Sequence, residues 1–238
     1  MAEPLILAID TSHMKGSVAA VRGPEILCEI VFDASDTHSA TLMPAVDTCL
    51  GGAHAKIDDI DLFAVVSGPG SFTGLRIGLA TVKALAAVKR RGVASVTSLR
   101  VLAAAFPYSS LPVLPVIDAR RGEVYAGLYE TSSGSPRELV APCAVKPEDA
   151  AGILPEDPVI VCGTGSLRYR DLLRSALPEG SRFAHPRWAV PSASLLAALA
   201  RKSDTIPYEH LPALEPLYLR PPDARLPRET ALRDGGGK

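Results

Sequence analysis

The chain has 238 residues, 47% apolar and 21% charged, with a net charge of −1 and 21 prolines. That balance excludes disordered and collagen-like chains, and at about 150 residues per domain the length fits one large domain or two small ones. Near-neutral charge also argues against strong unassisted nucleic-acid binding, which usually shows as a basic face or a high pI.

The first apolar run, residues 5–9, stops at Asp10, far short of the about 20 residues of a membrane span. It lacks the charged flank and cleavage site of a secretory signal, so no membrane association and a cytoplasmic location are expected. Cys28, Cys49, Cys143 and Cys162 have no paired spacing and read as small buried hydrophobes, neither a zinc site nor a disulfide framework.

In chain order, residues 5–9 predict a strand, residues 16–21 its hairpin partner and residues 26–32 a third strand after the turn at Gly23 and Pro24. Residues 38–50 change to helical spacing through Leu42, Val46, Cys49 and Leu50, with Pro44 an awkward member. Residues 61–67 are a nearly continuous apolar strand. The glycine-rich break after it leads to Ser71, a helix cap, and an alanine-rich helix over 72–91. A strand at 93–96 and a helix at 98–105 end this half.

The order then recurs. Residues 112–117, 123–129 and 138–144 predict three strands, 147–153 a helix, 158–162 a buried strand, 166–176 a helix and 193–202 a final helix. An aspartate closes the first strand of each copy, Asp10 and Asp118. Two β-β-β-α-β-α units are the plan of the actin-like and sugar-kinase ATPases, an analogy of fold that does not by itself fix function. The expected division is a first lobe at 1–106, a smaller second lobe at 107–210 and a C-terminal segment at 211–238 with a frayed tail.

The most informative stretch is Gly68-Pro-Gly-Ser71-Phe72-Thr73-Gly74-Leu75-Arg76-Ile77-Gly78. Strand, glycine loop and helix start suit an anion, yet the spacing fits neither a Walker A loop nor a dinucleotide fingerprint. Gly74 and Gly78, with Ala80 and Ala84 beyond, form a small-residue stripe. It permits close packing either on the chain's own sheet or on another molecule's helix. Asp10-Thr11-Ser12 reads as a phosphate hairpin with a magnesium-water aspartate or as a plain strand-end turn. Asp118 with its charged turn, and Gly163 and Gly165 at an adenosine-contact position, carry the same ambiguity. The five histidines lack metal-ligand spacing, and no nucleophile elbow occurs.

Five stretches in order, residues 6–12, His38-Ser39 with 42–44, residues 67–78, residues 117–125 and residues 216–220, resemble the TsaB (YeaZ) family. That family partners the transferase in bacterial tRNA threonylcarbamoyladenosine synthesis and carries a proline where Pro44 stands. Ala40 departs from the charged residue common there. The resemblance implies a two-lobed, duplicated actin-like α/β fold with a degenerate nucleotide site. It implies a non-catalytic dimerisation and activation subunit that binds the TsaD transferase and the TsaE ATPase for threonylcarbamoylation of adenosine 37. The first-lobe helices would form the interface, through Leu42, Val46 and residues 71–78, or self-associate as a homodimer. Vestigial nucleotide-site residues would be Asp10, Thr11, Ser12, Asp118, Gly163 and Gly165. No catalytic residue, metal or resident cofactor is implied, any nucleotide being shared at the complex interface, and tRNA is contacted only indirectly. The rival readings are an ATP-dependent small-molecule kinase or ATPase using Asp10 and Asp118, a metallopeptidase, and a homodimeric structural protein.

Overall fold

The computed structural model describes residues 3–34, 38–153 and 157–220. The tail at 221–238, expected to fray, lies outside the described residues. The first sheet is built from β1 (Leu5–Asp10), β2 (Lys15–Arg22), β3 (Glu25–Asp33), β4 (Leu62–Gly68) and β5 (Gly92–Thr97). β1 to β3 are an antiparallel meander, whereas β4 pairs parallel to β1, and β5 parallel to β4. β1 is buried along its whole length, as its unbroken apolar sequence requires when helices cover both faces.

Helices α1 (His38–Gly52) and α2 (Phe72–Lys89) lie against this sheet and touch one another. Pro44 is accommodated inside α1, with Thr48 Oγ1 donating to its carbonyl at 2.8 Å. Ser71 caps α2 by accepting from Gly74 N, and Arg90 ends it in the left-handed conformation. α3 (Ser98–Ala103) follows, with Thr97 as its cap.

The second sheet repeats the plan. β6 (Val113–Asp118), β7 (Val124–Glu130) and β8 (Arg137–Val145) form its meander. β9 (Ile160–Cys162) and the two-residue β10 (Arg182–Phe183) extend it in parallel. Both sheets thus run third, second, first, fourth, fifth in order of appearance, and the chain has the duplicated, two-lobed α/β fold expected from its element order. Residues 147–153 form a 3-10 helix, not an α-helix. The helix expected over 166–176 is two, α4 (Thr164–Arg168) and α5 (Arg170–Ala176), broken at Tyr169, whose hydroxyl is drawn to Asp118.

The largest difference concerns residues 193–214. α6 (Ala193–Ala200) was expected within the range of the second lobe but packs on β1, β2, β4 and β5. The next strand, β11 (Thr205–Ile206), joins the edge of the first sheet beside β5. Leu196, Ala197, Leu211 and Leu214 therefore complete the first lobe's core. Neighbouring residues of β3 explain how two layers form: Cys28 abuts the end of α1 at Gly52. Glu29, pointing to the other face, accepts from Ser192 Oγ (2.7 Å), Ser194 N (3.0 Å) and Ser194 Oγ (2.8 Å) at the start of α6.

Candidate functional site at the lobe interface and the outer helical face

Asp10 is fully buried, and its Oδ1 accepts from Ser12 N at 2.8 Å in a closed turn. Thr11 turns inward, where its Oγ1 donates to the carbonyl of Gly74 on α2 at 2.7 Å. A Cβ at Gly78 would collide with that same Oγ1, and one at Gly70 with the carbonyl of Ser12. Ser71 N also donates to Ser12 O at 2.7 Å. Gly70 and Gly78 therefore let α2 and its loop close over the Asp10 turn.

His13, not singled out as a site residue in the sequence, completes this turn. Its Nδ1 lies 2.8 Å from Ser12 Oγ, and burial pushes its pKa down to about 4.

In the second lobe Asp118 is engaged on both oxygens. Oδ1 accepts from Arg120 N (2.9 Å) and Tyr169 Oη (3.2 Å), and Oδ2 from Arg168 (3.0 Å). Gly163 has φ +93°, and a Cβ there would collide with the Val116 carbonyl; one at Gly165 would stand 2.7 Å from Val116 Cγ1. These two glycines set α4 against β6, which accounts for them as a packing turn at the helix start.

The lobes are joined in two ways. Leu99, Leu102 and Ala103 of α3 share an apolar cluster with Val113, Ile117, Tyr129 and Cys162 of the second lobe. Residues 217–220 then strap back across. Leu217 N donates to Ser67 O at 2.7 Å, and Arg220 bonds Glu123 and, at 2.6 Å, the carbonyl of Ala119. Tyr218 stacks near Phe72 at 5.1 Å and accepts from Arg76 Nε at 2.9 Å, with Arg76 also 3.8 Å above Phe72. The sequence marked these C-terminal residues only through the family resemblance.

Of the residues expected at an intermolecular interface, Leu42, Val46, Gly74, Leu75 and Gly78 are instead buried within the chain. Their spacing records packing on the first sheet. Ser71 is a half-buried cap and Ile77 is half-buried, while Phe72, Thr73 and Arg76 are exposed. The small residues that do face outward are Ala80, Ala84 and Ala87 on α2, and Ala40 and Gly51 on α1, beside Met43. These residues, not the Gly74/Gly78 stripe, are the small residues that the two helices expose.

Among the described residues no three His, Cys, Asp or Glu side chains lie together as a ligand set, and no helix is long and apolar enough to cross a membrane. All four cysteines are free thiols. Burial and the neighbouring Cys28 hold Cys49 protonated, its pKa pushed up to about 12.

Residues 32–172 match the family model for TsaD, tRNA N6-adenosine threonylcarbamoyltransferase. The tRNA threonylcarbamoyladenosine biosynthesis protein TsaB of Bacillus subtilis is 31% identical, over 90% of this chain and 93% of its own. The TsaB protein of Haemophilus influenzae is 30% identical over the same shares. The solved structure of YeaZ from Pseudomonas aeruginosa superposes with a TM-score of 0.77 at 29% identity, covering 91% of this chain and all of that one. The chain is a member of the TsaB (YeaZ) family of tRNA threonylcarbamoyladenosine biosynthesis.

Proposed function

We propose that this chain is the non-catalytic accessory subunit of the system. It binds a TsaD-type transferase through the outer face of α1 and α2 and helps recruit a TsaE-type ATPase. The complex then threonylcarbamoylates adenosine 37 of tRNAs reading codons that begin with adenosine. The observation that carries the reading is this face itself. Two adjacent helices present small residues outward, Ala80, Ala84, Ala40 and Gly51 among them, which allow helix backbones to approach closely. The subunit holds no resident cofactor, any nucleotide being shared with the partner. Engagement of Asp118 by Arg168, Tyr169 and Arg120 N weighs against the rival kinase mechanism, which needs that carboxylate.

Two measurements test the proposal. Nucleoside mass spectrometry of tRNA from depleted cells is expected to show loss of threonylcarbamoyladenosine with other modifications intact; an unchanged level removes the reading. Ala84→Arg, at an exposed position, is expected to abolish co-purification with the transferase while the chain stays folded. Magnesium-dependent nucleotide binding by the isolated chain, lost in Asp10→Ala, favours the kinase instead.

A further inference from the structure

The second lobe carries a cavity of about 440 Å3 between α5 and the turn into β10, remote in sequence from the α1 and α2 face. Arg170 and Arg174 line it from α5. Four residues apart, they stand one above the other on the helix, with Cβ atoms about 5–6 Å apart. Both guanidiniums are mounted on one ring, Arg170 at 4.9 Å and Arg174 at 5.7 Å from the centroid of Phe183. Phe183 is itself packed against the second lobe's core, so the platform is fixed. Such ring contacts stabilise a cation and work against the like-charge repulsion between the two.

Arg168, two residues before the pair, is spent on Asp118. Among the described residues neither Arg170 nor Arg174 comes within ion-pair distance of a carboxylate. Glu179 is the acidic group lining the cavity, and it is exposed. Ser181, also in the lining, accepts from Val159 N at 3.3 Å, which leaves its hydroxyl proton to donate. Two planar forks with five donors each and a hydroxyl, over an apolar floor, match phosphate oxygens. The pattern recurs just past β10, where Arg187 stands 4.5 Å over Trp188. Arginines that stand over aromatic rings thus flank β10 on both sides in the sequence, and two adjacent forks suit successive phosphates of a chain.

The geometry points to a phosphodiester-binding site whose occupant is the backbone of the tRNA being modified, an identification that rests on the function proposed above. A local arginine cluster of this kind is compatible with a chain whose net charge is −1, because phosphate contacts depend on the groups at the surface, not on the total.

The test is fluorescence anisotropy of the full chain with a labelled tRNA transcript reading a codon that begins with adenosine, across a salt series. Arg170→Gln with Arg174→Gln is expected to weaken binding about tenfold and to flatten the salt dependence by about two counterions. Glu179→Gln is expected to tighten it about twofold by removing the opposing charge. The paired lysine variant keeps the charge and is expected to restore the salt slope, which separates loss of a contact from loss of the fold. Unchanged affinity and slope in the glutamine variant, or no binding by the wild-type chain, overturns the site. Inorganic phosphate that binds through these arginines while tRNA binding ignores them overturns the RNA occupant. Loss of the modified nucleoside on depletion, with tRNA binding indifferent to Arg170 and Arg174, discards this site and leaves the proposed function standing. An intact nucleoside level, with tRNA binding that depends on both arginines, does the reverse.

Discussion

At Gly78 the chain leaves no room for a methyl group, because Thr11 Oγ1 occupies the space while donating to Gly74. Overpacking of this kind costs about 1–3 kcal/mol, against which alanine returns about 1 kcal/mol of helix propensity. Gly78→Ala is therefore expected to lower stability in urea titrations, and the sign should reverse in a Thr11→Ala background, where the obstructing oxygen is gone. Equal effects in the two backgrounds would detach Gly78 from Thr11. The glycine spacing was legible in the sequence, but its direction was not. A stripe of small residues reads the same whether a strand of the same chain or a foreign helix lies against it, and the partner, Thr11, is 63 residues away from Gly74. His13 was equally silent, since burial, not spacing, makes it special. Its pKa of about 4 lies below the ordinary 6.5, so the unfolded chain binds the extra proton first. The stabilisation is fully present above about pH 6.5 and is lost as pH falls toward 4, by at most about 3 kcal/mol. Thermal melts between pH 7 and 4.5 should show this decline, and His13→Gln should flatten it.

The α6 helix shows what the element scale adds. Its apolar face was readable, yet its lobe was not, because chain order placed it after the second sheet, while packing on the first sheet and polar contacts to Glu29 and Ser17 return it to the first lobe. Ser17 Oγ accepts from Ala193 N at 3.1 Å, and the Glu29 carboxylate meets the first residues of the helix. A carboxylate at a helix start compensates both the unpaired amides and the helix dipole. Glu29→Ala is expected to cost about 1–2 kcal/mol. Glu29→Gln should cost less, since the amide oxygen still accepts but the charge is gone. Chemical denaturation of both variants orders them, and equal stability with wild type would reduce Glu29 to a surface residue. By contrast the meanders and the parallel strands β4 and β5 were legible to within a residue, whereas the two-residue β10 was not marked at all. Continuous apolar runs such as 5–9 and 62–66 mark strands covered on both sides, whatever lies next to them.

Across the whole molecule the lobes are fused, not merely tethered. Leu99, carried by α3 of the first lobe, is fully buried among side chains of the second sheet, and the strap through Leu217, Tyr218 and Arg220 ties the β4 end, α2 and the Ala119 to Glu123 turn together. This joint was not legible in the sequence, because its members come from α3, three strands and the C-terminal segment. The chain's one tryptophan, Trp188, packs edge-on against Phe106 at 6.1 Å, beside this joint. Its fluorescence therefore reports the junction while far-UV circular dichroism reports both lobes. In the wild-type chain the two urea transitions are expected to coincide, as they do for one cooperative unit. Leu99→Ala leaves a cavity where the lobes meet and should cost about 2–5 kcal/mol. If the apolar joint is what couples the lobes, the tryptophan transition in this variant moves ahead of the dichroism transition. If both shift together by the same amount, the strap alone suffices to couple them, and Arg220→Ala in the same background should then pull the two transitions apart.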